Sequence, residues 1–411
     1  MHYPHNLKKY STLLSLYVAQ SIPMSFFSTV VPVIMRQEAY SLEAIGYLQL
    51  VKLPWIFKFL WAPFIDNQCS NKKDYRRWII FSEVFYAMVI LSISFLDLQT
   101  HFTTIIVLMV IAFTASATQD IATDAFAILS LKVDERGVGN SMQSAGSFIG
   151  TLMGSGVLLV VYHYLGWQLL LVALALFVSF AIVPLSRFRR QNETKPQKVE
   201  RKKAITSMKD IGSFFRQKGI GRQVFLLVIF YSGIIDILTM IKPFLVDVNF
   251  GVIEIGLMSG VYGTGVGVLM AILMGHLVKR LGRKNIVTIV SLLMLSASVF
   301  FYFISLWGNP SGWILFFGIA LVWGSYGGAS VIVYTIAMDI VRKGREGTDF
   351  TIQIVITHLS SLIIAVSSGK IADMIGYSGL FAIEIVLSVV MVVAAFILYQ
   401  DKTKDSYAYS T

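Results

Sequence analysis

Two sets of six apolar stretches, divided by one basic stretch, constrain this chain more than any other feature. Residues 187–222 carry twelve Lys and Arg against three acids. On either side, each apolar stretch approaches the ~20 residues that a helix needs to cross a bilayer. The expected spans run roughly 12–34, 43–64, 77–96, 102–128, 138–162 and 167–186, then roughly 222–247, 252–276, 284–306, 311–338, 349–371 and 377–399. With 56% hydrophobic and 14% charged residues over 411 positions, a soluble core could not hide this much apolar surface. The expected fold is therefore an all-α polytopic membrane protein, with twelve transmembrane helices in two six-helix bundles. The bundles are 1–186 and 222–411, joined by a basic cytoplasmic linker, 187–221. That layout is the one used by two-halved secondary transporters, which expose a midplane site to one side at a time.

The net charge of +11 would suit nucleic acid, but its placement argues otherwise. Of the 34 Lys and Arg, 29 fall in the termini, the central stretch and alternate interhelical loops. This is the positive-inside pattern, which places both termini in the cytoplasm and leaves no nucleic-acid patch. A single cysteine, Cys69, excludes an intrachain disulfide. The first apolar stretch is long and contains Pro23 and Pro32, so it reads as a retained helix rather than a signal peptide. No phosphate-cradling loop, Cys/His metal cluster or Ser-His-Asp arrangement is visible, so no enzyme activity, cofactor or metal is expected. The expected partners are a small-molecule solute, protons and membrane lipids, with the chain acting as a monomer.

Five basic residues lie outside the cytoplasmic segments: Arg36, Lys52, Lys58, Lys242 and Lys370. A charge inside a span is costly unless paired or hydrated, so each marks a candidate site. Asp120 and Asp124 are four apart and share one helix face, flanked by Gln119 and Thr123. Lys58 falls at a depth where it can meet one of these acids. The cluster has three readings: a site for a charged solute, a proton relay, or an ion pair that fixes helix packing. In the second half, Asp236 sits mid-span with Lys242 about two turns outward, and is a second proton-coupling candidate. His358 is a minor candidate. Glu384 reads as a residue of a peripheral helix, and Glu83 as a partner of the neighbouring basic loop.

The two halves echo each other. Gly137 and Gln143 follow the fourth span, and Gly347 and Gln353 follow the tenth, at identical spacing. Gly146, Gly150 and Gly154 recur every four residues, and Gly256, Gly260, Gly263 and Gly267 line the eighth span. Such small-residue faces permit close helix approach.

The loop after the eighth span reads GHLVKRLGRK, residues 275–284. It resembles the signature loop of the major facilitator superfamily, matching at Gly275, Arg280, Gly282, Arg283 and Lys284, with Lys279 where that family has an acid. The copy after the second span keeps Asp66, replaces the glycine with Ala62 and delays its basic pair to Arg76 and Arg77. A loop of this kind sets an acid near a helix N-terminus, where it can lock the cytoplasmic side. The segments KLPWIFKFLWAPFID (52–66) and SATQDIATDAFAI (116–128) are similar to a clan that holds muropeptide permeases of the AmpG type, acetyl-CoA transporters and siderophore permeases of the RhtX/FptX type. The resemblance implies proton-coupled import across a bacterial inner membrane. The wording ATQDIATDAFA points first to a ferric siderophore, then to a peptidoglycan fragment.

Overall fold

The computed structural model describes residues 3–38, 48–188, 208–307 and 310–399. The start of the second expected span, most of the central basic stretch, and Lys402 with Lys404 lie outside the described residues. The described chain is helical from end to end. The long helices are α1 (Tyr3–Ser25), α2 (Lys72–Ser94), α3 (Phe102–Ser130), α4 (Arg136–Leu152), α5 (Leu158–Phe180), α6 (Ile220–Asp247), α7 (Thr264–Leu281), α8 (Arg283–Ser305), α9 (Gly312–Met338) and α10 (Glu346–Leu398).

Nine helical segments among the described residues are long and apolar enough to cross a bilayer. Two of them, Val133–Ser186 and Glu346–Ile397, run for 54 and 52 residues. Unbroken, either would extend about 80 Å, more than twice the ~30 Å apolar thickness of a membrane. Each turns back at a glycine instead: Gly166 has φ 69° and ψ −177°, and Gly376 has φ 74° and ψ 172°. Only glycine adopts that conformation without a steric penalty. Each of these segments therefore supplies two crossings. The two glycines also extend the internal echo, because each follows its half's glutamine, Gln143 or Gln353, at the same spacing.

The second expected span is not one continuous helix. Its described part breaks into a 3-10 turn (Gln49–Lys52), a short helix (Leu53–Phe57), a second 3-10 turn (Lys58–Leu60) and a helix (Ala62–Gln68). Pro54 and Pro63 cause the breaks, since each lacks an N–H and starts a fresh helical turn. The break sets Lys58 on a tight turn that points its side chain inward.

Two compact units emerge, and each borrows from the other half of the sequence. The first comprises 1–131, 146–212 and 341–352; the second comprises 132–145, 213–340 and 353–411. In the first unit, α1 lies directly on the glycine face of α4 and its continuation. A β-carbon at Gly150 would sit 2.5 Å from the Ser21 β-carbon, and one at Gly154 would sit 2.3 Å from the Ile22 carbonyl oxygen. Both chains widen into π-turns where they meet, Phe26–Val30 and Met153–Val157. Ser25 Oγ donates across this contact to the Thr151 carbonyl at 2.9 Å. In the second unit, Gly267 and Gly327 bring α7 and α9 together in the same manner.

Candidate functional site

The first unit holds a buried polar cluster around the middle of α3. Lys58 is 1% exposed and forms an ion pair with Asp120. Its ammonium also lies 4.7 Å from the centre of the Trp55 ring, a cation–π contact that is strong in a dry setting. The second Asp120 oxygen accepts from Gln20 Nε2 at 2.6 Å. One turn along, Asp124 accepts from the Tyr17 hydroxyl at 2.7 Å. Two acids spaced four apart on α3 thus face two donors spaced three apart on α1, with the Lys58 cation delivered by the broken segment. Such a cluster of buried charged and polar groups can exchange a proton or hold a polar solute.

The other sequence candidates of the first half lie apart from this pair. Lys52 is half-buried on the preceding 3-10 turn. Gln119 is 1% exposed, and neither its amide nitrogen nor its oxygen has a hydrogen-bond partner among the described residues. Tyr17 and Gln20 were legible as a polar pair on one face of an apolar helix. The sequence alone does not say which acid they meet.

Glu83 corrects an expectation. It does not reach the basic loop but is fully buried in α2, and neither carboxyl oxygen has a hydrogen-bond partner among the described residues. Glu384 is likewise fully buried, and its carboxyl faces that of Asp236 in the second unit. One turn away, the Ser298 and Ser388 hydroxyls meet at 3.0 Å. Lys242 takes no part there; its side chain is exposed.

Two further clusters involve the signature loops. In the first unit, Asp66 sits at the start of α10. Its carboxylate accepts from the Gly347 amide at 3.0 Å, from the Thr348 amide and hydroxyl at 2.7 Å each, and from the Tyr75 hydroxyl at 2.7 Å. Burial outweighs these four bonds and pushes the Asp66 carboxyl up to about 6. Beside it, Arg342 holds Asp349 in a two-pronged contact, 2.6 and 2.7 Å, and Arg345 binds Asp210 of the short helix Met208–Phe215 at 2.6 Å. Arg77 is exposed, 3.8 Å from Asp74, and Arg76 is half-buried on the same turn.

In the second unit, the acid missing from the loop is supplied by Asp339, at the end of α9. Asp339 takes Arg283 through both oxygens and Arg136 at 2.7 Å. Arg283 also donates to the Val133 carbonyl at 2.7 Å. Lys279, in the usual place of the acid, reaches Asp134 at 3.6 Å on the surface, where an ion pair contributes little. Gly282 ends α7 with φ 79°, and Arg280 is exposed. Gly275 lies against Gly137 and Ser141: a β-carbon there would come within 2.7 Å of the Gly137 carbonyl oxygen.

Long apolar helices, signature loops held by ion pairs and a polar cluster between helices agree with one family profile. The profile described as Major Facilitator Superfamily matches residues 13–250 and 224–409. The chain belongs to that superfamily. It is a multi-pass membrane transporter and not an enzyme. It is 23% identical to the anhydromuropeptide permease of Escherichia coli K12, over 92% of this chain and 77% of that protein. A Rickettsia prowazekii protein that carries the name AmpG 3 is 24% identical over 95% of both chains. The superfamily fold recurs in the crystal structure of a bacterial homologue of the iron transporter ferroportin, with TM-score 0.72, 15% identity, and coverage of 95% of this chain and 99% of that one.

Proposed function

We propose that this superfamily member imports peptidoglycan fragments of the muropeptide class across a bacterial inner membrane, by alternating access and at the expense of a proton gradient. The observation that carries the cargo class is the similarity to the E. coli anhydromuropeptide permease along almost the whole chain. The relatives favour this branch over the siderophore branch suggested by the wording of residues 117–127.

The polar cluster gives the reading its chemistry. Lys58 offers a cation that can pair with a carboxylate of a peptide stem, and Asp120 holds that cation in place until solute arrives. Asp124 and Asp236 are the groups to exchange protons as the site changes sides. Asp66 and Asp339 fasten the cytoplasmic ends of helices from opposite halves of the sequence, so they serve as the locks that must release in each cycle.

Mass spectrometry of spent medium from cells lacking the protein, against complemented cells, tests the cargo. Accumulated anhydro-muropeptides with unchanged ferric siderophore support the proposal. Accumulated siderophore with unchanged muropeptides returns the chain to the other branch, and no difference in either removes both cargo classes.

A further inference from the structure

A second polar group lies on the opposite flank of α3 from Lys58 and is used by nothing described above. Glu83 and Tyr86 are three apart on α2; Ser116, Gln119 and Thr123 share a face of α3. The Tyr86 hydroxyl faces both Ser116 and the Glu83 carboxyl. The helices are antiparallel neighbours joined by a short loop. With Tyr86 level with Ser116, the residue three before Tyr86 is therefore level with the residue three after Ser116. These are Glu83 and Gln119. All five side chains are buried, none more than 1% exposed. Among the described residues, none of Glu83 Oε1 and Oε2, Gln119 Oε1 and Nε2, or Thr123 Oγ1 has a hydrogen-bond partner, and the Tyr86 and Ser116 hydroxyls face each other. No charged side chain among the described residues acts on Glu83.

So many unsatisfied polar atoms do not persist in a dry interior, because each forfeits its hydration. Water can satisfy the neutral groups but leaves the carboxylate charge uncompensated. The acceptors that lie at one level are all oxygens, from one carboxylate, two hydroxyls and one amide. Hard oxygen donors suit alkali and alkaline-earth ions, and a single negative charge matches a single positive one. Toward the end of α2, the group is closed by an apolar cluster that includes Ile90, Ile93, Met109 and Phe113.

We propose that Glu83, Tyr86, Ser116 and Gln119 bind a sodium ion inside the first unit. The site is one residue from the ion pair already described, since Gln119 precedes Asp120 on α3. An ion on one flank of the helix thereby sets the position of the Asp120 carboxylate on the other. This gives the transporter a second coupling ion, and it holds whatever the cargo is.

The test uses the full chain purified in detergent, without solute. Thermal unfolding is followed while NaCl replaces choline chloride at constant ionic strength. A saturable rise in Tm of roughly 3–8 °C is expected with sodium and not with potassium. The rise should vanish in Glu83→Gln and weaken in Gln119→Leu, while Glu384→Gln keeps it. Should Glu83→Gln not fold, binding of radioactive sodium to Gln119→Leu and Ser116→Ala, each weakened against the unaltered chain, reads the same site. No sodium-specific shift in the unaltered chain, or a shift that survives in Glu83→Gln, overturns the proposal and leaves a neutral, hydrated Glu83. Because no cargo is present, failure here does not touch the muropeptide reading, and failure of that reading does not touch the ion site.

Discussion

Asp66 Oδ2 accepts both the backbone amide and the side-chain hydroxyl of Thr348, each at 2.7 Å. One carboxylate oxygen thus caps the first turn of α10 twice, while Oδ1 takes the Gly347 amide and the Tyr75 hydroxyl. A carboxylate at a helix N-terminus satisfies orphan donors and opposes the helix dipole. Asp66→Ala is therefore expected to destabilise the protein by about 1–2 kcal/mol, with Asp66→Asn milder because its amide oxygen still accepts. Thermal unfolding of the purified variants checks the order.

The same carboxyl gives the loop a pH response. Burial raises Asp66 from the ordinary carboxylate range to about 6 when packed. The packed state thus holds its proton more tightly than an exposed carboxyl near 3.9. Lowering the pH from 7 toward 4 protonates the packed state first and favours packing; above pH 6 the ionised, buried form bears its full cost, on the order of 2–3 kcal/mol. Hydrogen exchange at the start of α10, corrected for the intrinsic rate, should show protection growing as the pH falls. Asp66→Asn should flatten that dependence, and a protection that grows with rising pH contradicts it.

The superfamily fold was legible because hydropathy and Lys/Arg placement are properties of composition along the chain. Side-chain pairing was less so. The spacing of Asp120 and Asp124 placed both on one face of α3, but which one meets Lys58 depends on the two proline breaks that rotate the segment 48–68. Glu83 looked like a loop partner because only its distance from Lys72 and Lys73 could be read; the antiparallel register against α3 carries it inward. Asp339 is not legible from the signature loop, because the loop itself carries Lys279 in place of the acid. The acid that satisfies Arg283 comes from another helix.

Lys58 and Asp120 invite a double-variant test. Lys58→Met leaves a buried Asp120 carboxylate that still accepts from Gln20, and should destabilise by about 3–5 kcal/mol. Adding Asp120→Asn removes the stranded charge and should restore most of the lost stability. Uptake is expected to remain absent in the double variant, since the cation proposed to meet the solute is gone. Recovery of both stability and uptake reduces the pair to a packing device.

Asp339 holds two arginines from two helices, Arg136 and Arg283. Asp339→Asn takes the carboxylate from the buried Arg283 and the half-buried Arg136, and a loss of about 2–4 kcal/mol is expected. Lys279→Ala, which cuts only the exposed contact with Asp134, should change stability by less than about 1 kcal/mol. Equal effects in the two thermal unfolding curves would contradict the assignment of Asp339 as the acid this loop lacks.

Gly275 tests whether close backbone approach in the second unit has a function beyond the sequence match. Its added β-carbon would lie 2.6 Å from the Ser141 β-carbon and 2.7 Å from the Gly137 carbonyl oxygen. Neither neighbour is the end of a flexible chain, so the helices α4 and α7 must separate to admit a methyl group. Gly275→Ala should therefore cost about 1–3 kcal/mol, the range for overpacking a tight contact. Gly265→Ala is the control, because nothing lies within 4 Å of its added β-carbon and alanine favours the helix. If Gly275→Ala unfolds at the same temperature as Gly265→Ala, the α4–α7 contact is loose enough to admit a methyl group. If it unfolds lower and also slows uptake beyond what Asp339→Asn does at matched stability, the close approach itself is needed during the transport cycle.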